Sequence, residues 1–454
     1  MRFGELGSRP RQGGVFLGII LIPLVFFSAN PVLAAAKDSH NAGQPDHLIL
    51  SWTEDPLTTL TVSWRAGADT QQSVLQYLPA SEFNGSFAAA RETPGKARPL
   101  YQGHLRFEVT LRDLSPDTTY VYRVGVEGAW SEPATFTTAA SGDSFSFLYM
   151  GDVQGGHDVW GRMLARVVAE NPDLKFALLG GDLVDQGNSS EEWQQFFAAA
   201  WPVFKELPLL PAVGNHDDTA FFRNSFTVPG NGPEGYEGTV YSFQYGNCQI
   251  VVLNSNSMGL PGTEGYDKIA SWLLQRLGAS QQTWKVVVCH HPPYQAVQDW
   301  RGEHLQSNWV PLFEQGGVDL VLSGHQHLYM RTKPLRDGRI QADGRGIVYV
   351  IGNAGNKHYG VGPDYDYVAV QLTGVSNYQV IEIHGDRLTM IAKDAEGQII
   401  DRFTLVKKPY HADSDNSTEI DDHGCSFRKW GLFLINIPIH VATACANLAI
   451  QARH

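Results

Sequence analysis

Cysteine is scarce in this chain: Cys248, Cys289, Cys425 and Cys445 are the only four in 454 residues. No two have C-x-x-C spacing, which argues against a structural zinc site. No Gly-x-Ser-x-Gly run occurs, so the elbow that presents a nucleophilic serine in many hydrolases is missing. Positive charge is also short. Against 47 Asp and Glu stand 34 Lys and Arg, for a net −13. Such an acidic surface repels polyanions and makes a nucleic acid polymer a poor substrate.

Long apolar runs occur only near the two ends. Arg2, Arg9 and Arg11 precede an apolar stretch at residues 15–27, followed by Asn30-Pro31 and the small residues Ala34-Ala35-Ala36. A basic start, a short apolar core and an Ala-x-Ala end read as a secretory signal peptide over residues 1–36. Pro23 breaks the core, which falls short of the roughly 20 residues a membrane span needs. An uncleaved anchor is the alternative, and either way the body leaves the cytosol for a secreted, periplasmic or cell-surface location. No cysteine follows the apolar core to take a lipid. Cleavage would leave 418 residues carrying −15, enough for two domains.

Residues 406–454 read as a polar linker and an apolar tail. Residues 412–422 are acidic and polar and contain Asn416-Ser417-Thr418, an acceptor pattern for glycosylation. Residues 431–450 are mostly apolar but include Asn436, Pro438, His440, Thr443 and Asn447. They suit a weak anchor, a helix packed on the body or a stretch outside the fold, and they offer the chain's only contact with a membrane. A Cys425–Cys445 disulfide suits an oxidising compartment, though spacing alone does not show it. Cys248 and Cys289 lie in strand-like runs and read as small core residues.

Between the ends the pattern changes once. Residues 45–140 carry short alternating runs, at 48–52, 60–64, 73–77, 105–111, 119–126 and 134–138, with turn residues between them. This predicts a β-sandwich of about 100 residues. After the small residues at 139–143, strand-like runs alternate with helical spacing. Strands are expected at 145–150, 175–179, 209–213, 286–289 and 318–322, with a hairpin at 241–254. Helices are expected at 159–170, from Ser189 or Ser190 through Leu207, near 268–277 and near 305–315. Residues 145–405 therefore read as a layered α/β domain, giving a multidomain β plus α/β chain.

Five short motifs follow apolar runs in this second domain: Gly151-Asp152-Val153-Gln154, Gly181-Asp182-Leu183-Val184-Asp185, Gly214-Asn215-His216-Asp217, His290-His291-Pro292-Pro293 and Gly324-His325-Gln326-His327. Each alone is an ordinary turn or cap. In an α/β layer, however, loops after the carboxyl ends of parallel strands meet, so the five are expected to converge at one sheet edge. Carboxylate, amide and imidazole suit Zn, Mn, Fe or Co, and two such ions about 3.5–4 Å apart form a hydrolytic centre.

These residues resemble the calcineurin-like metallophosphoesterases, most closely the purple acid phosphatase branch. Ser51-Trp52-Thr53-Glu54-Asp55-Pro56, Val62-Ser63-Trp64 and Trp130-Ser131-Glu132 look like that branch's fibronectin type III-like N-terminal domain. Residues 114–124 are similar to the corner region of a fibronectin type III domain. Gly324-His325-Gln326-His327-Leu328-Tyr329-Met330-Arg331 matches the family's Gly-His-x-His-x-Tyr-x-Arg run. The resemblance implies that Asp152, Asp182 and His327 hold one metal and Asn215, His290 and His325 the other, with Asp182 bridging. It implies that His216 faces the substrate as the catalytic proton donor and that His291 supports the ligand beside it.

The chain departs from the family at three points. Purple members have a tyrosine ligand where Asp185 stands, so the Fe(III)–phenolate colour should be absent. A related branch has a histidine where Gln154 stands, and Gln154, Asp185 or His157 would have to compensate, more as supports than as ligands. After the His-x-Pro motif, only His304 is available as an additional acid. The resemblance implies a secreted phosphomonoesterase with two divalent or mixed-valence ions (Fe, Zn or Mn) and a small phosphate ester as substrate. Metal-held hydroxide would attack phosphorus in line. A phosphodiesterase acting on nucleotides or phospholipid head groups is the alternative. A non-catalytic surface-binding protein is the reading from another class.

Overall fold

The computed structural model describes residues 44–342 and 344–407. The expected signal segment, the polar linker, the apolar tail, Cys425 and Cys445 lie outside these residues. Among the described residues, no helix is long and apolar enough to cross a membrane.

Residues 46–137 form two antiparallel sheets. One has the order Asp46–Ser51, Leu60–Ala66, Leu105–Leu111, Lys96–Pro99. The other has the order Arg91–Pro94, Val74–Pro79, Thr119–Val126, Ala129–Trp130, with Ala134–Thr137 also paired to Thr119–Val126. Alternation along the strands sends Leu60, Val62 and Trp64 inward with Leu75, Phe107 and Tyr122. Residues 114–120 close a corner in which Ser115 N–H donates to the Tyr120 hydroxyl at 3.0 Å. Arg91–Pro94 and Lys96–Pro99 escape the sequence reading because they are mostly exposed and carry no apolar alternation.

The sandwich is pinned to the α/β domain. The Trp52 ring meets Phe176, Phe243 and Tyr245 at 5.5–6.1 Å, and the Tyr122 hydroxyl donates to Lys205 O at 2.7 Å.

The α/β domain differs from a single sheet. A six-stranded sheet runs Leu209–Ala212, Leu174–Gly180, Ser144–Met150, Asn377–His384, Arg387–Asp394, Ile399–Val406, the first three parallel. A seven-stranded sheet contains the parallel run Cys248–Leu253, Trp284–Cys289, Leu320–Ser323, Val348–Ile351. Period-two alternation explains the layering. Ile250, Val252, Val286, Val288, Leu320 and Leu322 join the cluster that holds Phe147, Leu178 and Leu179 of the first sheet. Their neighbours Val251, Val287, Cys289 and Val321 pack instead with Leu273, Leu277 and Phe313 from helices Glu264–Ala279 and Val310–Gly316. Cys248 and Cys289 are buried and free, as their strand positions suggested.

Helix Ser190–Phe204 begins where expected, with the Ser189 hydroxyl accepting from Glu192 N. The single helix expected near 305–315 is two, Trp300–Asn308 and Val310–Gly316. Pro311 in the first turn of the second supplies no amide hydrogen to continue the first.

Candidate metal centre

The five motifs do converge, but at the shared edge of two sheets rather than of one. Asp152, Asp182 and Asn215 follow Ser144–Met150, Leu174–Gly180 and Leu209–Ala212 of the six-stranded sheet. His290 and His325 follow Trp284–Cys289 and Leu320–Ser323 of the other.

The loops are forced tight. Asp152, Asp182, His325 and His327 all have left-handed backbone, with φ of 42°, 52°, 72° and 46°. Such positions cost on the order of 1–3 kcal/mol each and persist where the surroundings over-determine them. The motif glycines make this possible by close approach. A Cβ at Gly214 would collide with the Asp182 carboxylate, and one at Gly324 with the Asp152 carboxylate. Each glycine thus clears space for the side chain of another motif.

Asp182 sits at the middle. Its Oδ1 accepts from His216 N at 3.0 Å, and its Oδ2 lies 3.1 Å from His290 Nε2. His290 Nε2 is also 3.2 Å from Asn215 Oδ1, while its Nδ1 lies 2.9 Å from Gly180 O. A carbonyl only accepts, so Nδ1 carries the hydrogen and Nε2 is the atom offered to the site. On the other side, Asp152 Oδ2 accepts from His325 N at 2.6 Å, and its Oδ1 is 3.8 Å from His327 Nε2. The ring of His325 lies 5.2 Å from that of His290.

The electrostatics ask for a cation. Burial pushes Asp152 well above the usual carboxylate range, and the nearby Asp182 adds to the shift. Burial and then Asp182 push Asp217 up to about 7. Burial opposes ionisation of Asp182, but His290 outweighs it and brings the group down to about 2. Buried Asp152 Oδ1 and Gln154 Oε1 have no hydrogen-bond partner. Asp152, Asp182 and His290 bring ligand atoms within 4.8 Å of one another, as do His290, His291 and His325. Buried acids, unsatisfied acceptors and clustered imidazoles fit metal ions of the divalent class.

The supporting residues fall into clear places. His291 is not open to a metal through Nε2, which accepts from Arg301 Nη1 at 2.6 Å. Its Nδ1 therefore holds the hydrogen and donates to Ser255 Oγ at 2.7 Å. The Gln154 amide nitrogen lies 3.3 Å from His327 Nε2, the ring atom that also faces Asp152. Asp185 acts through its backbone, its carbonyl accepting from His216 Nδ1 at 2.7 Å. His157 is turned to Leu183 O at 2.7 Å and packs on Trp160 and Phe196, so it does not compensate for Gln154. Both ring nitrogens of half-buried His304 are engaged, by Met258 O and Asn308 Nδ2, which makes it a structural strap.

Four contributors had no role in the sequence reading, although Asp217 stands within one of its motifs. Asp217, fully buried, accepts from Gly214 N at 2.6 Å and from Leu183 N at 2.5 Å, locking two motif loops together. Asp299 caps helix Trp300–Asn308 and lies 3.5 Å from His325 Nε2. Burial resists its charge, but His325 and the helix amides hold it below the usual range. Arg301 follows two residues later. The fourth is the loop after Val348–Ile351, where Ala354 N and Gly355 N each donate at 2.6 Å to the carbonyls of Gly151 and Asp152. Its signal was present: Gly352-Asn353 follows an apolar strand just as the five motifs do.

Comparison with known proteins agrees with this geometry. The family model "Purple acid Phosphatase, N-terminal domain" matches residues 45–138, and "Calcineurin-like phosphoesterase" matches residues 145–329. The chain carries a calcineurin-like phosphoesterase domain over residues 145–329. It carries the N-terminal domain of the purple acid phosphatases, and the family is one of metal-dependent hydrolases. An uncharacterised protein of Mycobacterium tuberculosis is 28% identical over 342 residues, which is 66% of this chain and 64% of that protein. The match thus spans less than two thirds of that relative. Acid phosphatase type 7 of Mus musculus is 25% identical over 448 residues, 88% of this chain and 98% of its own. The structure of purple acid phosphatase PPD1 from yellow lupin seeds covers 80% of this chain and 74% of its own. Its TM-score is 0.67 at 17% identity, a likeness of fold.

Proposed function

We propose that this calcineurin-like phosphoesterase is an exported phosphomonoesterase with a dinuclear metal centre. The reading is supported by two groups with ligand atoms within 4.8 Å, Asp152–Asp182–His290 and His290–His291–His325, by Asn215 3.2 Å from His290 and His327 3.8 Å from Asp152, and by buried acceptors without partners. Asp152, Asp182 and His327 would hold one ion, and Asn215, His290 and His325 the other, with Asp182 shared. Bound there, such ions supply water activated near neutral pH and neutralise charge on the phosphoryl group.

The chain's own residues do the rest. His216 keeps its Nδ1 hydrogen on Asp185 O and leaves Nε2 4.0 Å from Asp182 Oδ2, on a side chain 35% exposed. Protonated at Nε2, it donates to the departing oxygen or to a phosphate oxygen. Asp217 and the Ala354–Gly355 amides hold the loops against movement. Export rests on the basic, apolar and Ala-x-Ala pattern of residues 1–36, and the mass of the mature protein tests it.

Metal-loaded protein should hydrolyse 4-nitrophenyl phosphate faster than bis(4-nitrophenyl) phosphate. His216→Ala should lower kcat about 10²–10⁴-fold. A faster diester reaction would assign the site to phosphodiesters instead. No turnover of either ester would overturn the enzymatic reading.

A further inference from the structure

Single exposed apolar side chains are ordinary, but apolar groups gathered at the mouth of a polar site mark a binding surface. Among the described residues, only two aromatic side chains are strongly exposed, Trp300 at 69% and Tyr359 at 44%. Both stand beside the histidine cluster, Trp300 at the start of its helix just after the loop of residues 290–299 and Tyr359 on the loop after Val348–Ile351.

Each ring is tied to that cluster by short steps. The Arg301 guanidinium lies 5.1 Å from the centre of the Trp300 ring, and its Nη1 donates to His291 Nε2 at 2.6 Å. The His291 ring is 4.4 Å from that of His325. On the other flank, the Tyr359 ring is 4.6 Å from His327, and Lys357 Nζ lies 5.4 Å from the Tyr359 ring. The two loops adjoin: Tyr367 donates its hydroxyl to Gln295 O at 2.6 Å, and a Cβ at Gly362 would strike the Ala296 carbonyl. Exposed Val297 and Val361 lie three residues before Trp300 and two after Tyr359, and a Cβ at Gly362 would touch Val297, so the two extend the apolar rim where the segments meet.

We propose that this rim, formed chiefly by Trp300 and Tyr359, selects phosphate esters whose leaving group carries a planar aromatic ring. The inference rests on the phosphomonoesterase reading and names the substrate class for it. Cations lie beside both rings, so an anionic phosphate and a flat apolar group are recognised side by side. Stacking on an exposed aromatic ring contributes about tenfold or more in affinity and tolerates many ring identities, so aryl and nucleoside esters share this chemistry.

Two matched pairs test it on the full, metal-loaded protein. Adenosine 5′-monophosphate and ribose 5-phosphate differ only by the base. Benzyl phosphate and cyclohexylmethyl phosphate have similar primary leaving groups and differ in the flat ring. Wild-type kcat/KM should favour the aromatic member of at least one pair by about tenfold, and the pair that shows it identifies the aromatic source. Trp300→Ala should bring that ratio down by about tenfold, Tyr359→Ala should lower it too, and Trp300→Phe should restore most of it. Ratios near one in the wild type, or ratios unmoved by Trp300→Ala and Tyr359→Ala with unchanged melting temperatures, would overturn the inference alone. Absence of turnover on all four esters would overturn the phosphoesterase reading, and the inference with it.

Discussion

Asp182 Oδ2 lies 3.1 Å from His290 Nε2, and this contact joins the two sheets at the centre of the site. Burial disfavours charge on His290, but Asp182 outweighs it and raises the imidazole to about 9. Without metal, the pair is therefore a buried imidazolium–carboxylate. Removing one member of such a pair leaves an uncompensated charge and costs about 3–5 kcal/mol. His290→Ala should lose that much stability in chelator-treated protein, read by urea unfolding. A loss below about 1 kcal/mol would show that the carboxylate has other means of accommodation.

Asp217 makes no contact with substrate in this reading, yet it holds the loops carrying Asp182 and Asn215. Asp217→Asn keeps the shape and one acceptor but loses the second amide bond. Activity should fall about 10–100-fold, with weaker metal retention, as for other residues that orient ligands. A parallel titration of metal affinity separates this from a simple loss of folded protein. Unchanged affinity and turnover would remove Asp217 from the account.

His47 gives the fold a pH dependence remote from the metal ligands. It stacks on Phe197 at 5.0 Å, and burial lowers it to about 3 against the partial opposition of Asp46. The unfolded chain takes up this proton below about 6.5, while the folded chain refuses it until about 3. Its contribution is present above pH 6.5 and is lost as pH falls, by up to about 1.4 kcal/mol per unit. His47 has φ 50°, which asparagine tolerates. Between pH 6.5 and 5, His47→Asn should therefore lose less stability than the wild type, by up to about 2 kcal/mol. Parallel curves would contradict the assignment.

Much of this was legible in the residues. Strands 105–111 and 119–126 were read to the residue because turn residues bound both runs, Gly103 before the first, Ser115-Pro116-Asp117 between them and Gly128 after the second. The six metal-ligating candidates were legible as ligand residue types placed just after apolar runs; four of them are buried, while Asn215 is exposed and His325 half-buried. Arg301 and Asp299 were not, since a polar helix start looks the same whether it meets solvent or His291 and His325. The division into two sheets was hidden for a similar reason. A strand buried on both faces reads as one apolar run, whichever layer covers it. Helix Ala220–Ser225 and strand Tyr329–Thr332 are too short to show a period.

The central claim is a metal pair held through Asp182, and metal content per chain tests it most directly. Elemental analysis of protein purified without chelator should find about two ions per chain. The visible spectrum should lack an iron–phenolate band, because Asp185 occupies the tyrosine position. Asp182→Asn should lose both ions while keeping its fold by circular dichroism. Two ions retained in Asp182→Asn, or none in a wild-type protein that still hydrolyses phosphate esters, would contradict the account.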